Sequence, residues 1–190
     1  MQSFLLFALL SLFAASQADV FIITTYNSSD CTFASKSQSY PTGCLGVGPL
    51  SNQNSIDGNT AFVKSFLGSG SCGGNAATTL NYTLGAVCTA LINGGNTYYK
   101  AYTGRTVTPA PGPNDQITEN YSGSGCGGTG NAVITYNSGC TAKDCGAATV
   151  GSTRGVCLTQ GQAYATPNSS GFAVTFSLAI LAVAAVIVLF

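Results

Sequence analysis

Histidine is missing from all 190 residues, the one methionine is Met1, and basic and acidic side chains number six each, for a formal net charge of zero. Each shortage excludes something. A Ser, Thr or Cys nucleophile normally works beside an imidazole or a comparable base, and the chain supplies no imidazole. Glycoside hydrolysis needs two carboxyl groups astride one bond. The acids are Asp19, Asp30, Asp57, Asp115, Glu119 and Asp144, and no spacing pairs them, so each reads as a solvated loop residue. Asp57-Gly58 lacks the Thr of an aspartic-protease loop and reads as a turn. Balanced charge at this low density leaves no electrostatic footprint for nucleic acid or anionic lipid. The sequence therefore reads as non-catalytic, with no cofactor, no metal and no nucleic-acid partner.

What the chain does have is grease at both ends. Phe4 to Ala15 has the length of a signal-peptide apolar region and is too short to span a bilayer. Small residues at Ser16 and Ala18 place cleavage after Ala18, with Ser16 as the alternative, although Met1-Gln2-Ser3 carries no Lys or Arg. Phe172 to Phe190 reaches roughly 28 Å as a helix, close to the thickness of the hydrocarbon core. A retained span normally continues into a Lys/Arg flank. Here small residues from Asn168 to Gly171, a weakly polar spacer and the apolar stretch from Leu178 have the order of a GPI-attachment signal, with Asn168 as the attachment residue. The expected division is 1–18 signal peptide, 19–108 two cysteine-rich β units, 109–115 a Pro/Gly linker, 116–168 a third such unit, and 169–190 an attachment signal or membrane segment. Both apolar ends would be helical if retained.

Eight cysteines, Cys31, Cys44, Cys72, Cys88, Cys126, Cys140, Cys145 and Cys157, all fall between those ends. An even number in a secretory chain points to disulfides. Sequence allows 105 pairings. Gaps of 13, 16, 14 and 12 residues favour neighbours, 31–44, 72–88, 126–140 and 145–157, each worth about 3 kcal/mol in the chain-entropy account. Sequons begin at Asn27, Asn81 and Asn120, marking expected N-glycosylation at solvated surface.

The middle is β-rich. Val20 to Tyr26, Ala61 to Leu67, Thr78 to Leu84, Thr97 to Tyr102 and Ala132 to Tyr136 are short β-branched or aromatic runs bounded by Gly, Asn and Ser. Asn93-Gly94-Gly95-Asn96 is a hairpin turn candidate. Tyr98 and Tyr102 would share a sheet face, as packing residues or as an exposed patch for a sugar or protein. Three stretches share one grammar, an aromatic, a Gly/Ser turn and a Cys: Tyr26 to Cys31, Phe66 to Cys72 and Tyr121 to Cys126. A period of roughly 40 to 55 residues implies one supersecondary unit used three times. The fold class is all-β, disulfide-stapled, with Gly-rich turns.

Two motifs tempt and fail. Gly68-x-Gly70-x-x-Gly73 and Gly123-x-Gly125-x-x-Gly128 match a dinucleotide fingerprint, which requires a following helix; here each straddles a cysteine and leads into a β-rich run. Cys140-x4-Cys145 lacks the further Cys or His ligands of a zinc site.

Layout, together with units such as Tyr26-Asn27-Ser28-Ser29-Asp30-Cys31 ending at Thr42-Gly43-Cys44, resembles the short, cysteine-rich, GPI-anchored surface proteins of amoeboid protists, ponticulin-like proteins among them. The expectation is a GPI-anchored cell-surface glycoprotein, a coat or adhesion module, on the outer face of the plasma membrane. Its partners would be the membrane, through the lipid anchor, and a glycan or protein ligand. The ponticulin resemblance implies an alternative, a membrane–actin linker that binds and nucleates F-actin. That role needs a cytosolic face, which a lumenally made, lipid-anchored chain lacks.

Overall fold

A computed structural model describes residues 19–47, 49–91 and 95–167. The signal-peptide reading of 1–18, the attachment signal of 169–190 and Asn168 itself lie outside the described residues.

The described chain is all-β. Its strands are β1 Val20–Tyr26, β2 Ala34–Pro41, β3 Gly43–Val47, β4 Leu50–Asp57, β5 Thr60–Leu67, β6 Thr78–Thr83, β7 Gly85–Ala90, β8 Tyr98–Thr103, β9 Gln116–Tyr121, β10 Gly130–Thr135, β11 Lys143–Ala147 and β12 Ser152–Val156. A 3-10 turn at Ser124–Cys126 interrupts them. They form two antiparallel sheets. One has eight strands in the order β11-β12-β9-β10-β2-β1-β8-β7, and the other has four in the order β3-β4-β5-β6.

Strand β1 explains the arrangement. Its apolar residues do not alternate with polar ones, so both faces must be covered. Val20 and Ile22 point to one side, and Phe21 and Ile23 to the other; each is no more than 4% exposed. Phe21 and Ile23 join Tyr99 and Ala101 of β8 against Ala61, Val63 and Tyr82 of the smaller sheet. Val20 and Ile22 pack with Ile117, Ala132 and Ile134, and two loop segments bring in Val107, Leu158 and Tyr164 as a lid.

The segments 19–108 and 116–168 meet in one sheet, because β10 pairs with β2 from Val133↔Gln38 to Thr135↔Lys36. The isolated aliphatics of β9 and β10 find their partners on β1, which puts both segments in one core. The proline segment between them is strapped to that face. Tyr102 Oη donates to the Thr108 carbonyl at 2.9 Å, Tyr136 Oη to the Pro109 carbonyl at 2.8 Å, and the Gly112 N–H to Asp115 Oδ2 at 2.7 Å.

The disulfides are 31–88, 44–72, 126–145 and 140–157, so pairing of sequence neighbours is overturned. The reason is the strand inside each gap. Eight extended residues of β2 lie between Cys31 and Cys44, a run of roughly 26 Å, whereas bridged Cα atoms sit about 5.5–6 Å apart. Strands β6 and β10 separate Cys72 from Cys88 and Cys126 from Cys140 in the same way. In the β11–β12 hairpin, Lys143 faces Gly155, so Cys140 and Cys157 meet at its open end while Cys145 lies partway along.

The repeated grammar survives as local geometry. Cys31, Cys72 and Cys126 follow β1, β5 and β9, and all three have φ between 53° and 56°. This left-handed backbone is costly for a residue with a side chain, by about 1 kcal/mol or more. Two of the turns are held by one device. A buried serine on the adjacent strand, Ser51 or Ser152, donates to the carbonyl three residues before the cysteine (Ser69 at 2.5 Å, Gly123 at 2.6 Å). It also accepts the cysteine N–H, at 2.9 Å for Cys72 and 2.7 Å for Cys126. In the first turn the Cys31 N–H reaches the Ser28 carbonyl directly at 3.0 Å.

Two predictions test this architecture. Mapping of unreduced peptides will recover the four pairs named here, and a fragment joining Cys31 to Cys44 would contradict the topology. Ile22→Ala, at a fully buried site, will cost about 2–5 kcal/mol in urea unfolding. Leu67→Ser, at a side chain 69% exposed, will stay within about 0.5 kcal/mol of the parent.

Candidate functional site

The three sequons occupy different surroundings. Asn27 is exposed just past the end of β1, and Asn81 is exposed on β6. Asn120 lies on β9, between β12 and β10. It is half-buried, and its Nδ2 donates to Oδ1 of its cross-strand partner Asn131 at 3.2 Å. Asn120, Asn131 and Thr153 make a polar row on three adjacent strands. They line a shallow groove of about 280 Å³ with Leu45 and Val150.

A larger cleft, of about 530 Å³, opens where the two sheets part. Its walls are β6 and the end of β7, with Thr60, Thr79, Asn81, Thr89 and Leu91 around it and Tyr82 and Tyr99 at its base. Among the described residues no charged side chain lines it. The two tyrosine rings meet edge to face at 5.2 Å between centroids, and Tyr99 Oη accepts the Thr83 N–H at 3.1 Å. The tyrosines of β8 thus work mainly in packing. Tyr99 is core, and Tyr102 packs on the opposite face and holds Thr108, while Tyr98 is half-buried.

Four of the acids are exposed as expected: Asp19, Asp30, Asp57 and Asp144. Asp57-Gly58 closes the β4–β5 hairpin, with Gly58 at φ 55°. Asp115 and Glu119 correct the reading of every acid as a solvated loop residue, because they are 7% and 3% exposed. Asp115 accepts the Gly112 and Asn137 N–H groups, both at 2.7 Å, and so ties the strap to the end of β10. Glu119 sits on β9 opposite Arg154 of β12 and pairs with its Nε. Tyr121 Oη donates to Glu119 Oε2 at 2.6 Å, and Tyr164 Oη donates to Oε1 at 3.0 Å. Arg154 also lies over the Tyr121 ring at 5.7 Å. Tyr164 belongs to the covering segment, so this cluster fastens the lid to the sheet.

These surroundings raise tyrosine pKa values. Burial pushes the Tyr121 hydroxyl up to about 12, helped by its hydrogen bond to Glu119 and by that carboxylate's charge. Burial also raises Tyr164, with the Glu119 charge and hydrogen bond behind it, and burial leads the upward shifts of Tyr40, Tyr82 and Tyr136.

Sequence reasoning missed Ser51, Ser152, Glu119 and Asp115 as structural residues. For the serines the readable signal is strand register, since Ser51 opposes Phe66 and Ser152 opposes Tyr121, the aromatics that open two of the repeated turns. Among the described residues no group of three Cys, Asp or Glu is placed to hold a metal ion. Comparison with family models, with curated proteins and with solved structures returned no match.

Glu119→Ala will lower stability by about 2–4 kcal/mol, because two tyrosine hydroxyls lose their acceptor. Arg154→Ala leaves the buried Glu119 carboxylate without its cation and will cost about 1–3 kcal/mol, although the arginine side chain itself is 46% exposed. In alkali, tyrosines with raised folded-state pKa values stay neutral while those of the unfolded chain ionise from about pH 10. Their contribution is complete below that pH and is lost as pH climbs toward 12. Absorbance near 295 nm will therefore show a group of tyrosines whose phenolate appears only together with unfolding; ionisation of Tyr121 and Tyr164 in the intact fold from pH 9 would contradict the assignment.

Proposed function

We propose that the chain is a non-catalytic, GPI-anchored cell-surface glycoprotein that serves as a coat or adhesion module. The observation that carries this reading is the pairing of all eight cysteines into four bridges, with no free thiol among them. Such a density of crosslinks belongs to an oxidising, extracellular setting. Exposed sequon asparagines at Asn27 and Asn81 suit the same setting. No helix among the described residues is long and apolar enough to cross a membrane, which leaves attachment to the terminal segments.

The acids support the non-catalytic part. Both oxygens of Asp115 and both of Glu119 are taken by hydrogen bonds or the Arg154 ion pair that fasten loops. A general acid or base keeps an oxygen within reach of the proton it moves. The four remaining carboxylates are dispersed on the surface.

Treatment of intact cells with phosphatidylinositol-specific phospholipase C will release the protein. Its polypeptide mass, after removal of sugars, will lack residues 1–18 and the apolar segment beyond Asn168. A protein that stays on the membrane with Phe190 in place would rule out the lipid anchor.

A further inference from the structure

Two sheets have four edge strands, β11 and β7 in the larger sheet and β3 and β6 in the smaller. An edge presents unpaired N–H and C=O groups that can template pairing with another chain, so stable proteins protect their edges. Three of the four carry a bridged cysteine. Cys88 of β7 is bonded to Cys31, Cys44 of β3 to Cys72, and Cys145 of β11 to Cys126. In each case the partner lies in one of the left-handed cysteine turns, so the crosslink fastens a loop to the edge strand. On β3 the approach is close. A Cβ at Gly46 would fall 2.1 Å from the Gly70 carbonyl oxygen, so the loop backbone lies directly over the face of that strand.

The fourth edge, β6, has no cysteine. Its sequence, Thr78-Thr79-Leu80-Asn81-Tyr82-Thr83, has no charge and no proline, the ordinary guards of an exposed strand. Backbone direction can be read from the ladder. The Leu84 N–H donates to the Asn59 carbonyl at 2.9 Å, and Thr60 faces Thr83 in the register. Residues 84, 82 and 80 therefore bond toward β5, while 83, 81 and 79 point the other way, because antiparallel pairs alternate. The Thr83 N–H is taken by Tyr99 Oη. By the same alternation the backbone groups of Asn81 and Thr79 face away from β5, and both residues line the cleft. What β6 has in place of a cysteine is a sequon, Asn81-Tyr82-Thr83, with Asn81 exposed. Among the described edge strands it is the one that carries a sequon asparagine.

We propose that an N-linked glycan at Asn81 is the guard of the fourth edge and keeps β6 from pairing with β6 of a second copy. This rests on the glycoprotein reading above and gives one of its sugars a specific task. Asn81 Nδ2 bonds to the anomeric carbon of an oligosaccharide carried on a polyprenyl pyrophosphate. The bond from that carbon to the pyrophosphate oxygen breaks, and the amide loses one proton as the lipid pyrophosphate leaves. The product is a bulky, neutral, hydrated group next to the outward backbone groups of residues 79 and 81. A second copy is the competing occupant because an uncharged strand is its own complement in antiparallel pairing. The zero net charge of the chain supplies no repulsion between copies. The sugar at Asn27, beyond the end of β1 and away from any edge strand, has no such role.

The test uses the full chain made in a glycosylating secretory host and purified in one detergent throughout. Intact mass before and after peptide-N-glycosidase reports occupancy, and light scattering after size exclusion reports protein mass across a concentration series. The parent will carry a glycan at Asn81 and stay a single copy. Asn81→Gln and Thr83→Ala, which both abolish the sequon, will shift toward twice that mass or larger as concentration rises, whereas Asn27→Gln will not. Adding Thr79→Lys to Asn81→Gln puts a charge on the bare edge and will restore the single copy. A parent with no sugar at Asn81 overturns both the glycoprotein reading at this site and the proposal. A sugar present, with Asn81→Gln still a single copy, overturns the proposal alone. So does association that persists after Thr79→Lys, because it would not arise at this edge.

Discussion

The crosslinks between edge strands and turns organise this molecule. A sheet of polar, short strands ends in unpaired backbone, and the hydrophobic effect gives no reason for a loop rich in Gly and Ser to stay against it. A disulfide does. The Cys31–Cys88 bridge closes a span of 57 residues, and in the chain-entropy account that restricts the unfolded state by about 4 kcal/mol. The same bond fixes a turn beside β7. Cys44–Cys72 and Cys126–Cys145 repeat the arrangement for β3 and β11. Cys140–Cys157 instead ties the base of the β11–β12 hairpin, whose outer strand is exposed along its whole length.

With the edges held, the interior can be built from modest materials. One strand, β1, supplies aliphatic and aromatic contacts to both faces of the large sheet, and β1 and its neighbours supply hydroxyls. Thr24 and Ser37 are fully buried and bond each other at 2.7 Å, and Ser37 bonds Tyr136 Oη at 2.9 Å. Ser39 accepts the Ala132 N–H at 2.7 Å. A serine facing inward is tolerable only where its hydroxyl is satisfied. These bonds cross from one strand to the next or from strand to strap. They specify register in strands whose side-chain pattern alone would leave it loose.

That is why some of the fold was legible in the sequence and some was not. The stretches around β1, β5, β6, β8 and β10 announce themselves by β-branched and aromatic residues. Strand β2, Ala-Ser-Lys-Ser-Gln-Ser-Tyr-Pro, and strand β4, Leu-Ser-Asn-Gln-Asn-Ser-Ile-Asp, do not. Apart from Pro41 at the end of β2, their buried positions are Ser or Asn, and a serine that will be bonded in a core looks the same in sequence as one in a loop. The cysteine grammar was visible, but its meaning was not. Neighbour spacing measures distance along the chain, and a strand between two cysteines turns a short spacing into a long separation. Glu119 and Asp115 were hidden for a related reason: their partners, Tyr164 and Asn137 among them, come from distant segments.

Under the proposed function, the same features fit a molecule held at high density on a surface. Zero net charge removes electrostatic steering, so encounters with partners would run at the unassisted rate and lean on tethering instead. Tethering raises the effective concentration of one copy beside another by orders of magnitude. A contact too weak to matter in solution then becomes a standing interaction, and an open strand edge is the contact to which a neutral, Thr- and Asn-rich β protein is most exposed. Protection of edges is therefore worth more at a membrane than in dilute solution. The distribution of cysteines on three edge strands answers that pressure with covalent bonds, each of which fastens a loop to an edge strand.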